Sequence, residues 1–185
     1  MAESIIFDKK QRFWIREALE IAETAAGNYF QVDLADSERF PYDLETLANL
    51  KGLEKTHRAL AQVCKYEYRK KELPLTPKGN EFYRICLQDD KILNTVRMEP
   101  PSLLKPLLLY VITHELIHVI RFSMDPKKFY LSPGARKTEE IDVHRMTYEL
   151  LKSFKDPQVG LLLEFYRPWW EKSDVDSDSR ALDRV

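Results

Sequence analysis

From Leu107 to Ile120 nearly every residue is apolar: Leu107, Leu108, Leu109, Val111, Ile112, Leu116, Ile117, Val119 and Ile120. At helical spacing these side chains cover the whole circumference, and a helix of that kind has to be buried in a core. Any fold open to this chain must therefore wrap other elements around the segment. The strongly polar exceptions are His114, Glu115 and His118. His114 and His118 are four apart, so they leave one face of a helix one turn apart. Two imidazoles at that spacing can hold one zinc ion, and Glu115 can reach a water on that ion. The pattern H-E-x-x-H on a helix carries this mechanism of two ligands and a general base. A buried carboxylate left without its partner costs ~3–5 kcal/mol, and a metal-bound water with two histidines would compensate Glu115. The plain alternative is a hydrogen-bonded His-Glu-His cluster that only fills a core.

A catalytic zinc usually takes three protein ligands and leaves one position to water. After the motif, residues 121–134 read as a loop containing Pro126, Pro133 and Gly134. The segment that follows, from Lys137 on, reads as a helix with Thr138 as N-cap and acidic residues in its first turn. On a helical wheel Val143, Met146, Leu150 and Phe154 form an apolar stripe, with Glu140, His144, Thr147 and Leu151 along its edge. Asp142, Arg145, Glu149 and Lys152 fall on the far side. Glu140 and His144 thus point together toward the core, and Glu139 lies near the stripe. Glu140 is the expected third ligand. His144 and Glu139 are expected beside it, each as a supporting group or an alternative ligand. Helix-dipole complementarity explains glutamates in a first turn without any metal.

At these residues the chain resembles a known family. Val111 to Ile120 is similar to the extended zincin motif, and Glu140-Ile-Asp-Val-His144 is similar to the downstream E-x-x-A-D or E-x-x-A-N segment of gluzincins. Local likeness extends to the small soluble ImmA/IrrE-like metallopeptidases and to the HtpX-type membrane peptidases. Val143 stands where alanine is usual, and His144 where Asp or Asn is usual. The likeness covers about residues 107–150. It implies a zincin-like domain in which His114, His118 and Glu140 hold one Zn2+ and Glu115 is catalytic in peptide-bond hydrolysis.

If one zinc keeps an open position, it acidifies its water and polarises a carbonyl. Glu115 then moves the proton from water to the leaving amine. Tyr130, Arg121, Arg145 and Tyr148 are oxyanion-stabilising candidates by sequence proximity. Residues 81–96 read as two strands around a Gln-Asp-Asp-Lys turn; a strand edge near the metal could pair with a substrate backbone, or the hairpin could merely pack. Two other metal readings stay open. His144 could close a structural four-ligand site, or Glu139 and Glu140 could support a di-metal carboxylate site.

The fold class expected is α+β: a mainly helical domain with a small β-hairpin or short sheet beside the buried helix. At 185 residues one domain over residues 1–170 is the default, with a possible helical subdomain over 1–75. Helices are expected at Lys10–Gly27, from Leu44 to about Tyr68, and over roughly Pro157–Trp170, with Trp169 and Trp170 sealing the core edge. The end, 171–185, has five acidic and three basic residues and reads as a mobile acidic tail. Net charge is −1, so no bulk field favours nucleic acid or an acidic membrane. The first residues lack a signal-peptide pattern, and the apolar run, broken at His114, reads as too short to span a bilayer. Cys64 and Cys86 read as reduced structural thiols in the cytoplasm. A peptide or protein substrate is the expected partner. One feature points elsewhere: basic residues with Tyr66 and Tyr68 over 55–71, then Leu75-Thr-Pro-Lys-Gly79, follow a helix-turn-hairpin order resembling a winged-helix DNA reader. Nucleic acid is nonetheless not the expected partner, because such a run usually faces solvent.

Overall fold

The computed structural model describes residues 5–67, 81–97 and 103–171. Its axis is helix α3 (Leu104–Met124), in which every residue from Pro106 to Ile120 is buried, His114, Glu115 and His118 included. The other elements pack around it: α1 (Lys9–Phe30) on one side, a three-stranded sheet on another, and α4 (Pro133–Leu151) and α5 (Pro157–Tyr166) closing the rest. Architecturally the chain is α+β, mainly helical, with a small mixed sheet. By length and composition α3 is apolar enough to cross a membrane, contrary to the reading of its apolar run as too short, because the helix continues through His114. Most of that apolar window, 83%, is covered by the rest of the protein.

Local sequence explains most boundaries. Asp8 caps α1 in a reciprocal box with Gln11: the Gln11 N–H donates to Asp8 at 2.8 Å and the Asp8 N–H donates to Gln11 Oε1 at 2.9 Å. The buried face of α1 is Ile15, Ala18, Ala22 and Ala26, small enough to let α1 lie close to α3. α4 begins earlier than its acidic turn suggests. Ser132 is the N-cap and Pro133 follows at the first helical position, so Thr138 lies within the helix. The far side of α4 is exposed as the helical wheel requires, with Asp142, Arg145, Glu149 and Lys152 all at least 40% open. Asp156 and Pro157 start α5 in the same way as Ser132 and Pro133 start α4, and α6 (Pro168–Glu171) ends the described chain.

The sheet corrects two expectations. Residues 42–67 are not a helix: β1 (Tyr42–Glu45), a 3₁₀ turn at Gly52–Glu54, and β2 (Ala61–Glu67) occupy them. Residues 81–96 are not two strands around a turn: β3 (Glu81–Leu87) runs into helix α2 (Asp89–Arg97). The strand order is β1-β3-β2, with β1 parallel and β2 antiparallel to β3. Tyr83, Ile85 and Leu87 point inward and are fully buried. Asp89 ties the corner together, accepting the Phe7 N–H at 2.9 Å and the Leu47 N–H at 2.8 Å. The basic segment that suggested a DNA-reading helix is thus strand β2 over residues 61–67. Leu75–Gly79, the side chains of Trp169 and Trp170, and the tail from 172 lie outside the described residues.

Candidate metal centre

Two helices build the site. α3 presents His114 and His118 from adjacent turns, with ring centroids 5.0 Å apart. α4 brings Glu140 against both: its Oε2 lies 3.3 Å from His114 Nε2 and 3.3 Å from His118 Nε2. Among the described residues this is the one group of three side chains with candidate ligand atoms mutually within 4.8 Å. Zinc bonds of about 2.0–2.1 Å to imidazole and carboxylate give a tetrahedron with edges of about 3.3 Å. The two N···O separations match that edge, and all three donors lie within 4.8 Å of one another, a grouping that could hold a single first-row divalent ion. His114 and His118 are almost fully covered, whereas the Glu140 side chain is 33% exposed, so the site opens on the α4 side.

The electrostatics are those of an acidic group enclosed with two bases. Burial alone would raise the Glu140 carboxyl, but the His118 and His114 imidazoles reverse this and hold it well below the usual range. Burial pulls His114 down, while for His118 the Glu140 charge overrides burial and raises it. Glu115 is buried on α3, with its carboxyl pushed up to about 7 by desolvation. A proton acceptor near neutrality suits general-base work.

His144 stands behind His114, ring centroids 4.4 Å apart, and its Nδ1 lies 2.7 Å from the Tyr110 hydroxyl. Burial, then the neighbouring His114, lowers it to about 2. Tyr110 in turn stacks on Tyr166 at 4.3 Å. His144 therefore supports the ring of His114 and is not in the group of three. Glu139, the other alternative, is buried and turned away: Arg121 grips it with two bonds of 2.5 and 2.7 Å, and Lys128 adds a third at 3.1 Å. Of the oxyanion candidates, Arg121 is committed to Glu139, Arg145 pairs with Asp142 on the exposed side, and Tyr130 is exposed with its hydroxyl 3.2 Å from Lys65. Tyr148 is partly buried against the core.

Sequence reasoning missed two supporting side chains, Tyr110 and Phe122, and gave a third, Arg121, a different role. Tyr110 is one turn before His114, Phe122 is one turn after His118 and stacks on its ring at 5.3 Å, and Arg121 fixes Glu139. The signal was present in the four-residue spacing of Tyr110 and Phe122 from the two histidines. No protein-family model, curated protein or solved structure matches this chain.

Proposed function

We propose that the chain is a zinc-dependent peptide-bond hydrolase of gluzincin type, holding one Zn2+ on His114, His118 and Glu140. The observation that carries this reading is the equal 3.3 Å approach of one Glu140 oxygen to both Nε2 atoms. A bound zinc would supply a Lewis acid that polarises the scissile carbonyl and acidifies a water. Glu115 accepts the proton of the attacking water and returns it to the leaving amine nitrogen. Its burial keeps bulk water from competing for that proton. The Tyr110 bond to His144 favours a three-ligand site with a position left over, against a closed four-ligand shell. β2 is a sheet edge packed against α3 and is where an extended peptide would add as a further strand. The two free thiols and the burial of α3 support a cytoplasmic setting.

Zinc content by emission spectrometry tests the ligands: about one ion per chain in the wild type, as a three-ligand site requires, and none in His114→Ala. Cleavage of an unstructured polypeptide tests the chemistry. Glu115→Gln should keep the zinc and lose on the order of 10²–10⁴ in kcat. Equal cleavage by that variant, or zinc retained in His114→Ala, would overturn the reading.

A further inference from the structure

Neither His114 nor His118 has a hydrogen-bond partner for its Nδ1 among the described residues, although both atoms are buried. Metal-ligating histidines are usually aimed by a group bonded to that second nitrogen. Here the rings are aimed by ring packing and by Glu140, which is the shared hydrogen-bond partner of both Nε2 atoms. Whatever fixes Glu140 therefore fixes the geometry of the whole donor set.

Glu140 itself is one-third exposed, and its side chain is tied to nothing but the two histidines among the described residues. The residue before it is the opposite. Glu139 is 5% exposed, and its two oxygens take Nε and Nη2 of Arg121 and the Lys128 ammonium. Burial pushes the Glu139 carboxyl up, but these two cations more than reverse that and keep it ionised. Arg121 lies on α3 three residues beyond His118, Lys128 lies in the turn Pro126–Tyr130 that joins the helices, and Glu139 lies on α4. A bidentate guanidinium–carboxylate pair fixes both distance and orientation. Three segments are thus locked in register at the point where α4 delivers Glu140.

We propose that Glu139, clamped by Arg121 and Lys128, is a positioning residue that sets Glu140 against His114 and His118. The affinity and geometry of the metal centre then depend on an ion pair that does not touch the ion. This rests on the metal reading above.

The test uses the full chain, with zinc affinity from chelator competition and the visible spectrum of the cobalt-substituted protein. Glu139→Gln should weaken zinc about 10- to 100-fold and shift or bleach the cobalt bands. Lys128→Met, which removes one contact at a part-exposed site, should do the same to a lesser degree. Arg121→Lys, which keeps the charge and loses the fork, should fall between them. A purely structural role would lower the melting temperature but leave the cobalt spectrum unchanged in the folded protein. Affinity within twofold of wild type and an unchanged spectrum in the folded variants would overturn the proposal and leave the metal reading standing. If Glu139→Gln does not fold, Lys128→Met and Arg121→Lys decide the matter by the same criterion. Failure of the wild type to bind zinc or cobalt would overturn both.

Discussion

Two polar clusters in this protein are built from similar charges and differ in how they are completed. On the outer face of the sheet, Arg84 donates two bonds to Asp43 at 2.8 and 2.7 Å and one to Glu54 at 3.0 Å. Glu54 also accepts the Tyr66 hydroxyl and the Lys51 N–H. Each of the three guanidinium nitrogens has an acceptor, and Glu54 has donors on both oxygens. In the core, two imidazoles share one oxygen of Glu140, both Nδ1 atoms lack partners, and no hydrogen bond reaches Glu115 among the described residues. Both clusters occupy costly positions, but among the described residues only the first finds all its partners within the protein. A closed network accounts for its own burial; an open one of two bases and two carboxylates has the composition that a cation would complete.

The comparison can be broken most directly with zinc. At a hundredfold excess over the dissociation constant, zinc should stabilise the wild type by about 2.7 kcal/mol, read as a shift in the urea midpoint. His118→Ala should show no such shift, and a shift of equal size there would remove the distinction between the clusters. Arg84→Met should cost about 2 kcal/mol, because it strips charge-assisted bonds from Glu54 and Asp43, while zinc affinity stays at the wild-type level. Loss of zinc in that variant would show that the sheet network is not the self-contained structure described. Acid sharpens the contrast with the smallest effect. Glu54 is held low chiefly by the Tyr66 bond, and Glu139 by Arg121 and Lys128 against the opposing effect of burial. Their folded values lie below the ordinary 4.5, so their contribution is fully present above that pH and is lost as pH falls through the lowered values. Urea midpoints should therefore decline below about pH 4.5, each carboxylate accounting for about 1 kcal/mol. A midpoint that does not move there would mean neither group is held as described.

Much of the site and part of the fold could be read from the residues alone. The motif helix was legible because its apolar residues leave no solvent face, and α4 because Val143, Leu150 and Leu151 recur at helical spacing and are buried. Glu140 was legible as the glutamate on the edge of that stripe. The separate fate of Glu139 was not, since it depends on Arg121 and Lys128, 18 and 11 residues away. Residues 42–67 misled for a physical reason. Leu44, Leu47, Leu50 and Leu53 repeat every three residues and imitate a helix, yet Leu53 is exposed, and the segment is organised by pairing with β3. Such pairing is non-local and overrides local spacing. The start of α2 was mistaken for a turn because Asp89 and Asp90 favour both turns and first helical turns. Ile92 and Val96, four apart and buried, carried the helical period.

α3 has no solvent face over the span that carries the histidines, while the Glu140 side chain is one-third open. Among the described residues that leaves one doorway to the candidate site, at Glu140. An ion held as proposed would enter and leave past this carboxylate, which would then set the speed of exchange as well as its equilibrium. A shorter acid at position 140 should widen the doorway and hasten stripping by a chelator, even where the two imidazoles are untouched.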